Sequence, residues 1–399
     1  MQYQKFGKLF LCALLTGIVG ACTNSSDSGD SDSSDLPPPV QLEERSLSTT
    51  TDENGVARFS FTLASDDAAY QLLVFPTDGQ SVRLTALNDN AGPVNLDPLY
   101  LQVAFNVATD PSVSVNSFNF PFVPYNVMRT NYTATYILTN PSDGTPAPFT
   151  ELNAKLLTKK DSDLSRGTVG VNVVLVGPVA GSQESRDSIQ SIMSIAQGYL
   201  SGANLTLDIQ YAAFPGSDIL PNPALDDPYY LDLSKHMRKN SINIVFATDV
   251  DGLYAQDAIY SISTGDAGPA LPSTKSVAVL SILDLTGGDG LFDYNGDGAT
   301  QVNGDETRLA GEEVAQLIGH YLGVTHIVEN DSYLTTGSDA LTDTQSCVTI
   351  IDCRDEKDVR GNIMFPFPIE ILDGNLDTYK RDHMTQQQTQ LLQRSVLVN

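Results

Sequence analysis

Apolar and polar residues alternate from about residue 45 to residue 155, and beyond residue 165 that alternation gives way to wholly apolar runs and helical spacing. A period of two suits an extended strand with one buried face, and a period near 3.6 suits a helix, so the switch separates two kinds of fold. Phe59, Phe61 and Leu63 carry the first pattern, as do Val82, Leu84 and Ala86, and Leu101, Val103, Phe105 and Val107. Tyr132 to Leu138 is aromatic and β-branched, and Asn54-Gly55 supplies a hairpin-type turn. Residues 45–155 therefore predict an antiparallel β-sandwich of the immunoglobulin-like kind. No catalytic cluster stands out in it, which leaves a spacer or a binding module.

The second region follows a charged link, Lys159-Lys160-Asp161-Ser162-Asp163. Val169 to Val176 reads as an apolar strand. Ile189, Ile192, Met193, Ala196 and Tyr199 mark a helix over Ser185 to Leu200. Leu205, Leu207, Ile209 and Tyr211 alternate as a strand, with further strands near 242–247 and 277–283 and a helix over about 309–322. Residues 165–399 predict an α/β domain, a twisted mixed sheet with helices packed on it. A chain of 399 residues is long enough for both parts.

The helix over 309–322 has two readings. Val314, Leu317, Ile318 and Tyr321 form an apolar stripe, so that Leu317 extends the core, His320 is a buried hydrogen-bonded histidine and Gly323 ends the helix. Alternatively, Gln316 to His326 resembles the metal-binding helix of the metzincin metallopeptidases, H-E-x-x-H-x-x-G-x-x-H, most closely that of their pappalysin-like branch. Gly319-His320-Tyr321-Leu322-Gly323-Val324-Thr325-His326 looks like that branch's GHxLGLxH segment. Leu341 to Cys347, followed by Cys353, looks like its DTP-then-cysteine loop, and Gly361-Asn362-Ile363-Met364-Phe365-Pro366 looks like its Met-turn.

The resemblance implies that His320 and His326 are zinc ligands, that Met364 lies beneath the site and that Cys347 and Cys353 pin a neighbouring loop. It also exposes two departures. Gln316 stands at the first ligand position, where it offers only a neutral amide oxygen, and Leu317 stands where the general base belongs. Leucine takes no proton from water, so the usual hydrolytic step is blocked. Glu313, one turn earlier, is the nearest substitute ligand or base on the same helix.

The N-terminus carries an address. Lys5 and Lys8 precede a short apolar run, and Val19-Gly20-Ala21-Cys22 resembles the lipobox of bacterial lipoproteins, in which the signal (1–21) is cleaved and the cysteine is lipidated. Residues 22–44, rich in Ser, Asp and Pro, read as a disordered tether. The absence of aspartate after Cys22 favours an outer-membrane destination in a Gram-negative cell. With Cys12 in the signal and Cys22 lipidated, Cys347 and Cys353 remain as a disulfide or as two free thiols. A net charge of −27 repels phosphate backbones and makes nucleic acid an improbable partner.

Asp293-Tyr294-Asn295-Gly296-Asp297-Gly298 matches the first half of a calcium loop, with oxygen ligands at Asp293, Asn295 and Asp297. Gly304 falls where the closing glutamate belongs, so the segment is either a calcium site or an acidic surface loop. The combined expectation is a multidomain envelope lipoprotein, β-sandwich then metzincin-like domain, that binds a protein or peptide without cleaving it. A zinc peptidase built on His320, His326 and Gln316 or Glu313 is one alternative, and a structural or adhesive envelope protein is another.

Overall fold

The computed structural model describes residues 42–76, 80–94, 116–120, 131–140, 142–160, 164–177, 180, 183–217, 219–220, 228–247, 249–250, 261–263, 277–281, 304–327, 341–345, 357–365, 369–372, 375–378 and 380–399. The signal and Cys22, the strand expected over Leu101 to Val107, the loop of Asp293, Asn295 and Asp297, and Cys347 and Cys353 lie outside the described residues.

The chain is rich in sheet and carries few helices among the described residues. One antiparallel sheet has the order β1 (Leu42–Thr50), β8 (Glu151–Lys160), β3 (Asp67–Phe75), β6 (Asn116–Phe120). A second has the order β2 (Val56–Thr62), β7 (Asn131–Thr139), β4 (Ser81–Asp89), β5 (Gly92–Pro93). Inward residues of both, including Phe59, Tyr70, Leu84, Phe118, Tyr132 and Leu156, form one apolar cluster. In β7, Tyr132, Ala134, Tyr136 and Leu138 are buried in strict alternation, as period two requires.

Four details depart from the sequence reading. Asn54-Gly55 does form a turn, with φ +72° at Gly55 and the Asp52 carboxylate accepting from the amides of Asn54 and Val56. Yet β1 pairs with β8 and β2 with β7, so the turn passes the chain from one sheet to the other. In β4 the register shifts between Leu84 and Ala86, which turns Leu87 inward in place of Ala86. Leu42, Glu43 and Glu44 lie in β1, inside the span expected to be tether. The charged link is also shorter than expected, because β8 runs through Lys160 and Lys159 is buried.

The third sheet has the order β10 (Leu205–Phe214), β9 (Gly167–Val176), β12 (Ile242–Ala247), β15 (Val277–Ser281), β14 (Ser261–Ser263), parallel except at β14. Both faces of its centre are covered. Val169, Val171 and Val173 face a cluster with α1 (Gln183–Ser201) and α3 (Gly304–Tyr321), while Val174 and Val176 face Tyr230 and Leu233 of α2 (Pro228–Ser234). Such strands read as continuous apolar runs because neither face meets water. At Gly311 the two long helices approach so closely that a β-carbon would stand 2.5 Å from Ile195.

Leu73 of β3 and Leu157 of β8 join this larger cluster from the far side of the first antiparallel sheet, which is therefore buried on both faces there. The C-terminal residues complete the body. After α5 (Gln386–Arg394), Val396, Leu397 and Val398 are buried, Val398 bridges Val169, and the backbones of Asn399 and Thr168 exchange two hydrogen bonds.

Candidate functional site

The site is built on the end of α3. The amide of Val324 donates to the Gly319 carbonyl at 3.0 Å and that of Gly323 to the His320 carbonyl at 2.9 Å. This pair of bonds, with φ +100° at Gly323, is a left-handed helix stop that glycine adopts without strain. It turns the chain back so that His326 meets His320.

Their Nε2 atoms lie 2.9 Å apart, with ring centroids 4.4 Å apart at 82°. His320 Nδ1 is 3.0 Å from the Val324 carbonyl, which only accepts, so the proton sits on Nδ1 and His320 Nε2 presents a lone pair. His326 Nε2–H is then its donor. Burial, then the neighbouring His326, and also the Arg381 charge, hold His320 well below the usual imidazole range.

Gln316 does not face a vacant ligand position. Its amide nitrogen donates to the Phe365 carbonyl at 3.1 Å, and its oxygen accepts from Arg381 Nη1 at 2.9 Å. Arg381 is fully buried. Its Nη1 also donates to the Phe365 carbonyl at 3.0 Å, and its Nη2 donates to Glu313 Oε1 at 2.5 Å. Its Nε lies 3.5 Å from Glu312 Oε2. Glu312 is paired on its other oxygen with Arg308 and accepts from the Tyr199 hydroxyl at 3.1 Å. Burial raises the Glu312 carboxyl above its ordinary value against the pull of both arginines, and burial pushes the Tyr199 phenol up to about 12.

Leu317 is 2% exposed and belongs to the main core cluster, so the general-base position is filled with packing. Met364 is buried directly beneath the helix, against Gly319. The turn that carries it is held by Asn362, whose Oδ1 accepts the Met364 amide at 2.8 Å and whose Nδ2 donates to Gln388 Oε1 at 2.9 Å. Gln388 in turn belongs to the capping box that starts α5. The Thr342-Asp343 segment docks on the same helix start, with Asp343 Oδ2 accepting the Gln387 amide at 2.8 Å.

Zinc does not fit the described residues. Its sites need three protein ligands, and two nitrogens on a tetrahedral ion stand about 3.3 Å apart. The two imidazoles are instead in hydrogen-bond contact, and Gln316 Oε1 is taken by a guanidinium. No group of three or more His, Cys, Asp or Glu side chains converges on a metal-sized point among the described residues. Glu313, the expected substitute ligand, is paired with Arg381.

Arg381 is the residue that sequence reasoning missed. Its signal was indirect: Glu312 and Glu313 stand together among Leu309, Ala310, Val314 and Ala315, and adjacent carboxylates on a buried helix demand a cation from elsewhere.

No protein-family model matches the chain, and no curated protein matches it. Among solved structures, it is similar to archaemetzincin from Methanopyrus kandleri at 14% identity, over 57% of this chain and 95% of that one, with a TM-score of 0.30. It is also similar to metalloproteinase-II from Bacteroides fragilis at 12% identity, over 44% of this chain and 48% of that one, with a TM-score of 0.26. The match thus spans about half the length of the Bacteroides protein, and likeness at these scores is too slight to assign a role to any residue.

Proposed function

We propose that this chain is a lipid-anchored bacterial envelope protein in which a β-sandwich is followed by a metzincin-like domain without peptidase activity. The fold reading is supported by the order of parts around α3: a glycine stop, the returning His326, then a methionine turn packed under Gly319. One observation carries the loss of activity. The first ligand position and the base position are both committed elsewhere, Gln316 to Arg381 and Phe365, and Leu317 to the core.

Between the two non-catalytic roles, packing favours a structural one. Gln316, Leu317, His320 and Arg381 are all buried, so the motif helix offers no open groove where the described residues surround it. Anchoring through Cys22, an outer-membrane address, and calcium held by Asp293, Asn295 and Asp297 belong to the same proposal. Among the described residues no helix is long and apolar enough to cross a membrane.

The test is the zinc content of the purified full-length chain by mass spectrometry, with His320→Ala as control, beside cleavage of a peptide library. Neither retained zinc nor cleavage is expected. About one zinc per chain, lost in His320→Ala, would restore the peptidase reading.

A further inference from the structure

We propose that Arg381 is the resident cation of this centre, doing the mechanical work of a metal ion and excluding one. This rests on the metzincin-like reading and deepens it. A metal ion in such a position would tie the motif helix to the chain that packs against it. Here the guanidinium makes that tie itself, joining Glu312, Glu313 and Gln316 of α3 to the Phe365 carbonyl beside Met364. Its planar fork hydrogen-bonds three partners, Glu313, Gln316 and the Phe365 carbonyl, and lies in ion-pair range of Glu312 without a hydrogen bond, an arrangement that a lysine ammonium on a flexible stem does not reproduce.

Exclusion follows from charge. Arg308 and Arg381 already balance Glu312 and Glu313, in a cluster where Arg381 and Glu312 are wholly buried. A divalent ion on the histidine pair would add two charges where, among the described residues, the carboxylates of the cluster already face arginines. What distinguishes the cluster from a simple core salt bridge is that the same Arg381 guanidinium also holds Gln316, at the first ligand position, and the Phe365 carbonyl.

Restoring the missing imidazole alone should therefore fail. Gln316→His would bring a ring up to the guanidinium, whereas Gln316→His with Arg381→Met frees the position and leaves Glu312 and Glu313 in need of a cation. Full-length wild type, Gln316→His, Arg381→Met, Gln316→His/Arg381→Lys and Gln316→His/Arg381→Met are each equilibrated with zinc and freed of excess. Metal is then counted by mass spectrometry, and unfolding midpoints are compared with and without zinc.

Only Gln316→His/Arg381→Met is expected to retain about one zinc per chain, with a midpoint that zinc raises, or to fold only when zinc is added. The lysine version, which keeps the charge, is expected to stay metal-free. Retention of zinc by Gln316→His with Arg381 intact, or by the lysine version, would overturn the proposal. So would a double methionine variant that takes no zinc, whether folded or unfolded. Zinc retained by the wild type would overturn this proposal together with the non-catalytic reading it rests on, whereas zinc retained by Gln316→His but not by the wild type would overturn this proposal alone.

Discussion

Met364 lies so close beneath Gly319 that a β-carbon on position 319 would stand 2.6 Å from the methionine sulfur. A side chain at position 319 would therefore have to displace the thioether end of Met364, which is buried in a turn far away in sequence. Gly319→Ala should force Met364 out of its place and lower stability by about 1–3 kcal/mol, the usual cost of an overpacked core. Urea unfolding measures it, and Gly319→Ala with Met364→Ala should recover part of the loss. An unchanged midpoint in the single variant would refute the contact.

Arg381→Ala should cost more, about 3–5 kcal/mol, because it removes the buried cation paired with Glu313 and one of the two paired with Glu312. Burial already raises the Glu312 carboxyl, and losing Arg381 removes a pull in the other direction, so the deficit should shrink towards low pH. Denaturant titrations at neutral and acid pH give the comparison, and a deficit that does not depend on pH would count against the charge account.

Lys159 predicts a dependence on alkaline pH. Its ammonium is buried and donates to the carbonyls of Gln393 at 2.5 Å and Ser395 at 3.2 Å, at the end of α5. Burial pushes it down to about 7, against about 10.4 in an unfolded chain. Between those values the unfolded chain binds the extra proton, so stability rises with pH and is lost again as pH falls towards 7. Wild type should gain on Lys159→Met by at most about 1.4 kcal/mol per pH unit in that window. Parallel curves for the two proteins from pH 7 to 10 would sink this.

Asn362 holds the methionine turn through two buried bonds. Asn362→Ala leaves the Met364 amide and Gln388 without those partners, and a loss of about 1–3 kcal/mol is expected. Asn362→Asp should not rescue it fully, since a carboxylate cannot donate to Gln388.

A zinc-selective chelator should leave the unfolding midpoint of the wild type where it was. If the midpoint falls on chelation and returns with zinc, a metal is holding the fold, contrary to the role given to Arg381.

The elements legible in the sequence were those with one environment per face. β7 alternates because one side meets the core, and α1 and α3 show helical spacing for the same reason. Strand β3 escaped notice because Tyr70 and Leu72 face one cluster while Leu73 faces another, which erases the period. Lys159 read as linker because charge normally signals solvent, and only the carbonyls at the end of α5 make its burial tolerable. At the site, the spacing of His320, Gly323 and His326 foretold a returning loop. That Gln316 would meet a guanidinium was not legible, since Arg381 is remote in sequence and carries no motif.

The bridge between Val169 and Val398 ties the opening strand of the parallel sheet to the last residues of the chain. During synthesis that strand leaves the ribosome long before its partner exists. Until Val396, Leu397 and Val398 are made, the main core lacks part of its lining. The parallel sheet is therefore closed along β9 by a segment remote in sequence rather than by a neighbour in the chain.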